Sequence, residues 1–293
     1  MLFVFESGRL GNQIFQYVAM RIASPTGKIV VFGMSELQQL FLCPNIIGFF
    51  SQKKSNKINE LCIFLFWNVL RVLSRIRLIG VIFERRELHN SGVHVRVRVG
   101  ILPRVFWVRT GYWQYQGVVD QGAAYIPSLR PQFEEQATRT IAELGIEQNN
   151  LYFLHIRRGD YLFWPQKEHP AVLPLWWYKI QMDRIQSVNP SAFFLVFSDD
   201  TPYVEDFFTD KERGKIITGD IFSDFSLMTK CQGGGILSAS TYAWWAAYIS
   251  RCSNPNAYFI APLYWAGHRV GKWFPDGIET DWIDYQPVTY ARN

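Results

Sequence analysis

The stretch LYFLHIRRGDY, residues 151–161, decides the fold. Its first six residues form a mostly apolar run of strand length, and a turn carrying two arginines, a glycine and an aspartate follows at once. A strand that feeds directly into such a turn is typical of a βα unit. A helix with proline in its first turn is predicted next, from Pro174 to Ser187. This segment therefore predicts an α/β protein.

The same alternation of short apolar runs and amphipathic stretches extends to both sides of this segment. The other predicted strands are Leu2–Phe5, Ile29–Phe32, His94–Val99, Phe193–Phe197, Lys215–Thr218, Gly235–Ser238 and Ala257–Ile260. The other predicted helices are Gln13–Ala23, Phe133–Leu144, Thr201–Thr209, Ser223–Cys231 and Ser240–Cys252. Because the pattern restarts near residue 150, we predict two α/β domains, residues 1–148 and residues 149–293.

Composition narrows the class of protein. Apolar residues make up 48% of the 293, aromatic residues 16% and charged residues 19%, which supports a substantial core and excludes a disordered, collagen-like or heptad-repeat chain. The net charge of +5 is too mild to indicate nucleic-acid binding. The charge is uneven, since nine arginines face two glutamates between Arg71 and Arg109. This basic stretch can contact phosphate or an anionic membrane surface.

The cysteines and the amino terminus indicate a cytoplasmic protein. Cys43, Cys62, Cys231 and Cys252 lie far apart without a C-x-x-C pair, which argues against a structural zinc site and a disulfide scaffold. We expect buried free thiols in a reducing compartment. The opening residues MLFVFE lack the basic start of a signal peptide and are typical of a first strand.

The apolar run Leu61–Leu70 raises the question of a membrane. Arginines interrupt it well short of the ~20 residues that a span needs. A buried helix is the favoured interpretation. The alternative is a helix lying on the inner face of the membrane, with Lys53, Lys54 and Lys57 nearby, so that membrane contact would be peripheral.

The first candidate site motif, GRLGNQ at residues 8–13, follows the first predicted strand. Gly8 and Gly11 allow a tight turn and close approach of the backbone to a ligand, and the next helix offers unpaired N–H groups. The motif is not the G-x-G-x-x-G pattern of dinucleotide binding. A purely structural turn remains the alternative.

The second motif is HIRRGDY, residues 155–161, at the carboxyl end of a predicted strand. Ligands of open α/β sheets bind beyond that end of the strands. Arg157 and Arg158 provide planar, permanently charged forks that suit a diphosphate. The structural alternative is a salt bridge from an arginine to Asp160.

The third motif combines FSDD, residues 197–200, with SAST, residues 238–241. Asp199 and Asp200 can bind a divalent metal, accept hydrogen bonds from a base or ribose, or cap the following helix. Ser240 and Thr241 stand where a strand feeds a helix, so hydroxyl and N–H groups can converge there on a phosphate. Trp244 and Trp245 are expected in the core rather than against a ligand.

Together these motifs resemble the α-1,2-fucosyltransferases, glycosyltransferase family 11. The resemblance is carried by GRLGNQ-x-FQY (Gly8–Tyr17), GYWQ (Gly111–Gln114), H-x-RRGDY (His155–Tyr161), His169, Trp177-Tyr178, FSDD (Phe197–Asp200), LM-x-x-C (Leu227–Cys231) and the Trp-Trp helix. Two positions of the family's N-S-T-F-S-W-W block are Ala239 and Ala243 here, and Gly233-Gly234-Gly235 stands where the family usually carries a histidine.

The resemblance implies a GT-B-like fold, in which two facing Rossmann-like domains hold the nucleotide sugar in the cleft between them. Residues 1–148 would be the acceptor side, and residues 149–293 would bind the GDP-sugar. Arg157 and Arg158 would clamp the phosphates with Ser240 and Thr241, and His155, Asp199 and Asp200 would lie near guanine and ribose. Gly8, Arg9, Gly11 and Asn12 would approach the donor from the first domain.

The implied reaction is inverting, metal-independent transfer of L-fucose from GDP-β-L-fucose to the 2-hydroxyl of a terminal galactoside on a surface oligo- or polysaccharide. No cofactor is expected, and Asp160 is the best candidate for the base. One alternative is a metal-dependent glycosyltransferase that uses Asp199 and Asp200 with another nucleotide sugar. The other is an inactive relative that binds a sugar or a nucleotide.

Overall fold

The computed structural model describes residues 1–49, 57–86, 93–109, 111–208 and 213–289. The chain divides into two compact α/β units, the first being Met1–Arg130 and the second beginning at Pro131. The sequence placed this boundary after residue 148 instead. Helix Pro131–Leu144 belongs to the second unit because it packs there. The Phe133 ring lies 5.7 Å from that of Phe222, and Lys230 Nζ lies 3.0 Å from Glu134 Oε1.

The first unit is built on a six-stranded sheet. Its elements are β1 (Leu2–Phe5), α1 (Leu10–Ala23), β2 (Ile29–Phe32), α2 (Ser35–Leu40), β3 (Phe41–Leu42), β4 (Ile46–Phe49), α3 (Lys57–Arg75), β5 (Ile79–Arg86), β6 (Val93–Arg98), β7 (Leu102–Val108), α4 (Gln116–Gln121) and β8 (Ser128–Leu129). The strand order is β4-β2-β1-β7-β5-β6. Neighbouring strands are parallel except for the β5–β6 hairpin. β3 and β8 form a separate antiparallel pair.

Helix α1 begins at Leu10, three residues before the predicted start. Arg9 precedes it in extended backbone, so that Gly11 and Asn12 belong to the first helical turn rather than to a loop. The turn that joins β1 to α1 relies on Gly8, whose φ of +79° lies in the left-handed region that favours glycine.

Helix α3 contains the apolar run Leu61–Leu70, and the favoured prediction of a buried helix is wrong. Its inner side chains, among them Trp67 and Leu70, pack on the sheet against Phe3 and Trp107. Its outer apolar side chains are exposed. The sequence could not separate the two faces because both are apolar. Lys53 and Lys54 lie outside the described residues. In the part of the chain that the structure describes, no helix has the length and apolar character needed to cross a membrane.

The second unit is built on a parallel six-stranded sheet. Its elements are α5 (Pro131–Leu144), β9 (Leu151–Ile156), β10 (Pro165–Gln166), β11 (His169–Pro170), α6 (Leu175–Val188), β12 (Phe193–Ser198), α7 (Thr201–Glu205), β13 (Gly214–Ile216), α8 (Ile221–Met228), β14 (Gly234–Ile236), α9 (Thr241–Ser253), β15 (Tyr258–Pro262) and β16 (Ile283–Gln286). The predicted helix Thr201–Thr209 is shorter in the described part, and Thr209 lies outside it.

The order of this sheet is β13-β12-β9-β14-β15-β16, and every neighbouring pair is parallel. Counted along the chain from β9, this is the Rossmann order 3-2-1-4-5-6. The chain builds one half of the sheet from β9 to β13 and then returns to the other side of β9 with β14. The order therefore reverses between β9 and β14, and ligands of such sheets bind beyond the strand ends at this point.

The core of the second unit surrounds the same strands. β9 is buried along its whole length, as expected for a central parallel strand covered on both faces. Trp244 and Trp245 are fully buried, which confirms their placement in the core. All four cysteines lie in the described part and are free thiols there, but only Cys231 is buried, whereas Cys252 is exposed.

Candidate active site

The second and third sequence motifs meet at the reversal of the second sheet. Residues 157–160 leave β9, Asp199 and Asp200 leave β12, and residues 238–241 leave β14. Because these three strands are adjacent and parallel, their carboxyl ends lie side by side. The backbone N–H of Ser238 donates to the carbonyl of His155 at 3.1 Å, which ties the two central exits together.

Arg157 is held by two carboxylates. Its Nε and Nη2 both donate to Asp160 Oδ1, at 2.9 and 2.5 Å, and its Nη1 lies 3.1 Å from Asp199 Oδ2. The structural alternative weighed for the sequence, an arginine paired with Asp160, is therefore present at Arg157. Since each guanidinium nitrogen already faces a carboxylate, this residue fixes the shape of the β9 exit.

Arg158 is held differently. Its Nε donates to Asp200 Oδ2 at 2.8 Å, and its guanidinium lies 3.6 Å from the centroid of the Tyr203 ring. Among the residues that the structure describes, its two Nη groups have no hydrogen-bond partner. One edge of the fork thus anchors the side chain, and the remaining N–H groups can bind an anion.

The two aspartates order this arrangement. Asp199 Oδ1 accepts the backbone N–H of Arg158 at 2.7 Å. Asp200 precedes α7, and its side chain accepts the N–H of Tyr203 at 3.4 Å as a helix cap. Gly159 leaves room for Asp199, because a Cβ at this position would lie 2.6 Å from Asp199 Oδ2. Both carboxylates are thus bound to arginines of the β9 exit.

His155 faces the interior of the unit. The residue is 7% exposed, and its Nδ1 lies 2.7 Å from Ser238 Oγ. Burial, together with the nearby charge of Arg157, lowers the pKa of His155 to about 3, so that the ring is neutral at physiological pH. This contact joins β9 to the β14 exit, and the place of His155 near guanine and ribose stays a prediction.

Ser240 and Thr241 lie at the amino-terminal end of helix α9. Ser240 is the residue before the helix, and its side chain makes no capping hydrogen bond within the described part of the chain. The first N–H groups of a helix lack intrahelical partners and carry the positive end of its dipole. The start of α9 therefore lies beside the β9 exit with the polarity that suits a phosphate.

Two aromatic residues of the site were given no role by the sequence analysis, although Tyr161 was part of the second motif. Tyr203 supports the Arg158 fork, and the Tyr161 hydroxyl donates to the carbonyl of Ala239 at 2.7 Å, which links the β9 and β14 exits. Burial raises the pKa of Tyr161, so that this hydroxyl stays protonated. Tyr203 follows Asp200 by three residues, one helical turn, and that spacing was the available signal.

The first unit has a comparable arrangement at the ends of β1 and β7. Gln114 Nε2 donates to Asn12 Oδ1 at 2.6 Å, and Gln16 Nε2 donates to the carbonyls of Ser7 and Gly111 at 2.9 and 3.2 Å. The segments GRLGNQ and GYWQ are therefore bound to each other. Arg9 is exposed beside them. A donor contact by Gly8, Arg9, Gly11 and Asn12 stays a prediction.

Comparison with known proteins identifies the family. The family model described as glycosyl transferase family 11 matches residues 109–274, more than half of the chain. The chain belongs to glycosyl transferase family 11. The resemblance found in the motifs is thereby confirmed, and the chain is a glycosyltransferase.

Three proteins illustrate what the chain is similar to. The O-antigen biosynthesis glycosyltransferase WbnK of Escherichia coli is 27% identical over 91% of this chain and 95% of its own length. The structure of a glycosyl transferase family 9 protein from Veillonella parvula covers 100% of this chain and 88% of its own, with a TM-score of 0.55 and 12% identity. The NodZ alpha-1,6-fucosyltransferase crystallised with GDP has a TM-score of 0.44 and 10% identity, covering 83% of this chain and 91% of its own.

The likeness to the family 9 structure concerns the fold alone. Together with the two α/β units and their parallel sheets, it confirms the GT-B-like, Rossmann-type class expected from the sequence. Within the described residues, no group of three or more His, Cys, Asp or Glu side chains is arranged to hold a metal ion.

Proposed function

We propose that this family 11 glycosyltransferase transfers L-fucose from GDP-β-L-fucose to the 2-hydroxyl of a terminal galactoside. The proposal is carried by the guanidinium group of Arg158, which binds Asp200 through Nε and leaves both Nη groups available to a ligand. Arg158 lies where the strand order of the sheet reverses and belongs to the H-x-RRGDY motif of the α-1,2-fucosyltransferases. The relative WbnK acts in O-antigen biosynthesis by name. We therefore propose an oligo- or polysaccharide acceptor of the cell surface.

In this proposal the β-phosphate of GDP lies between Arg158 and the start of α9. The Nη groups of Arg158 donate to the phosphate oxygens, and Ser240 and Thr241 add hydroxyl and backbone N–H groups. Asp199 and Asp200 hold Arg158 in place, and oxygens of theirs that face outward can accept from guanine or ribose. His155 positions Ser238 through its Nδ1 contact and lies at the same strand exit.

Departure of GDP develops negative charge on the leaving diphosphate. A cation fixed there before reaction stabilises the transition state more than the ground state, which lowers the barrier. Arg158 supplies that cation without a metal ion. A divalent ion bound by Asp199 and Asp200 would have to displace Arg157 and Arg158 from these carboxylates, and we therefore propose metal-independent transfer.

Inversion requires attack by the acceptor on the face of the sugar opposite to the diphosphate. The acceptor oxygen forms a bond to C1 of fucose, the bond from C1 to the phosphate oxygen breaks, and GDP leaves with that electron pair. A base takes the hydroxyl proton. Asp160 is our candidate, because its side chain is 60% exposed while Arg157 holds one of its oxygens.

Binding of nucleotides by calorimetry tests the donor assignment. We expect GDP to bind with EDTA present, and UDP to bind far more weakly. UDP binding without GDP binding would exclude GDP-fucose as the donor. Binding of GDP that requires manganese would favour the metal-dependent alternative.

A further inference from the structure

Helix α3 presents a row of exposed apolar side chains on the side that faces away from its sheet. The outer stripe consists of Leu61, Phe64, Leu65, Val69 and Val72 of the helix and of Ile76, which directly follows its last residue, and each of these is more than half exposed. Apart from the adjacent Phe64 and Leu65, successive members are three or four residues apart, which places them on one helical face. The inner face of the same helix is already packed on the sheet. A helix that is apolar on both faces indicates a second binding surface.

A groove lined by arginines lies beside this stripe. Its volume is about 430 Å³, and its walls are Val81, Phe83, Arg96, Val97, Arg98 and Arg109. It adjoins α3 because Val81 is the register partner of Trp107, which packs under the helix. Arg98 also donates to the carbonyl of Ser74 in the last turn of α3, at 3.1 Å. The arginine groove therefore borders the last turn of the helix that carries the outer stripe.

This surface is strongly basic. Arg71, Arg75 and Arg77 are exposed at the carboxyl end of α3 and just beyond it. The acids described in α3 and the strands beside it are Glu60 and Glu84, and Glu84 accepts the backbone N–H of Tyr112 at 3.0 Å. Apolar and cationic side chains thus occur together on this part of the first unit, and the arginines described there outnumber the acids.

We propose that this face of the first unit binds an anionic membrane surface. The outer stripe would enter the boundary between headgroups and acyl chains, and the arginine groove would hold a lipid phosphate. Charge favours this occupant over a second copy of the chain, since a symmetric pair would bring like-charged arginines together. The proposal does not depend on which sugar the enzyme transfers.

Flotation of the purified chain with lipid vesicles tests the proposal. One set of vesicles contains phosphatidylcholine alone, and the other contains equal parts of phosphatidylcholine and phosphatidylglycerol. We expect the chain to float with the anionic vesicles only. The variant Phe64→Ser/Val72→Ser should bind at least about tenfold more weakly, because the buried apolar area is lost. Its matched control is Phe163→Ser/Val188→Ser, in which both side chains are exposed in the second unit.

A second pair of variants tests the charge. Arg71→Gln/Arg75→Gln should weaken binding to the anionic vesicles roughly thirtyfold, since each cation near such a surface contributes independently. The control Lys28→Gln/Arg139→Gln removes the same charge elsewhere and should bind like the unmodified chain. Circular dichroism checks folding, and this charge pair carries the test if the serine pair fails to fold.

Three results would overturn the proposal. They are failure of the unmodified chain to float with anionic vesicles, equal binding to neutral vesicles, and unchanged binding by both variants. Self-association in solution that Phe64→Ser/Val72→Ser abolishes, without vesicle binding by the unmodified chain, would assign the surface to a second copy instead.

Discussion

Replacing Arg158 with lysine keeps the positive charge and removes the planar fork. An ammonium group can pair with Asp200, as the Arg158 Nε does at 2.8 Å. A single nitrogen atom carries all three donors of the ammonium group. It therefore cannot bind that carboxylate and also place two further donors against a diphosphate, as the Nη groups of Arg158 can. It also lacks the flat surface that lies 3.6 Å from the centroid of the Tyr203 ring.

The loss of one charged hydrogen bond that strengthens in the transition state costs about 3 kcal/mol. That free energy corresponds to roughly a hundredfold lower kcat/KM. The effect on stability should be far smaller, because the Arg158 side chain is 24% exposed and the substituted ammonium group would retain the ion pair with Asp200.

Initial rates of fucosyl transfer from GDP-fucose to a β-galactoside measure this effect. The control is Arg213→Lys. The Arg213 side chain is comparably exposed, at 22%, and its Nη2 lies 2.7 Å from Asp183 Oδ1. Arg213 directly precedes β13 and is thus at the opposite end of the strands from the site. We expect the control to keep its rate. An Arg158→Lys enzyme with near-native turnover would refute the assignment of Arg158 to the diphosphate, whatever its melting temperature.

Three further predictions concern the same unit. Gly159→Ala should weaken GDP binding about tenfold, because the added Cβ displaces Asp199 from the backbone N–H of Arg158. The control is Gly117→Ala, where an added Cβ meets nothing within 4 Å. Equal GDP affinity of the two variants would contradict the prediction. Transfer should continue in EDTA, and activity lost there and restored by manganese would contradict the metal-free mechanism. Burial, followed by the charge of Asp220, raises the pKa of Asp224 to about 7, so the folded state holds a proton that the unfolded state releases. The free energy of unfolding should therefore fall between about pH 4 and about pH 7. Denaturant unfolding across this range should show that Asp224→Asn removes on the order of 1 kcal/mol of the fall. An unchanged dependence of the unfolding free energy on pH in this variant would refute the prediction.

The strand exits were predictable because the sequence carries two signals for each of them, an apolar run and the polar residues that follow it. An apolar run such as Phe193–Phe197 indicates a buried strand, and the charged residues that follow can stand only at its end. Since parallel strands of one sheet share an edge, Arg158, Asp199 and Ser240 could be expected near one another before their contacts were known.

The contacts within the site were not predictable in the same way. Arg157 and Arg158 are adjacent and alike, yet the first faces Asp160 and Asp199, and the second leaves its Nη groups unbonded in the described part of the chain. The difference depends on side-chain rotamers and on Asp200, which is distant in sequence. Neutral burial of His155 also depends on Ser238, which β14 brings to it.

The domain boundary and helix α3 were missed for a related reason. An amphipathic pattern indicates that Pro131–Leu144 has an apolar face, but it does not indicate which unit covers that face. The apolar run Leu61–Leu70 likewise indicates helix and apolarity, and only the packing shows that one face has no cover from the residues that the structure describes.

The linkage formed by the enzyme tests the central proposal most directly. The purified chain is incubated with GDP-fucose and a lactose-type β-galactoside in EDTA, and the product is analysed by nuclear magnetic resonance. We predict fucose with the α configuration, attached to O2 of the terminal galactose. Transfer from another nucleotide sugar with none from GDP-fucose, or fucose attached through a different oxygen or with retained β configuration, would contradict the proposed reaction.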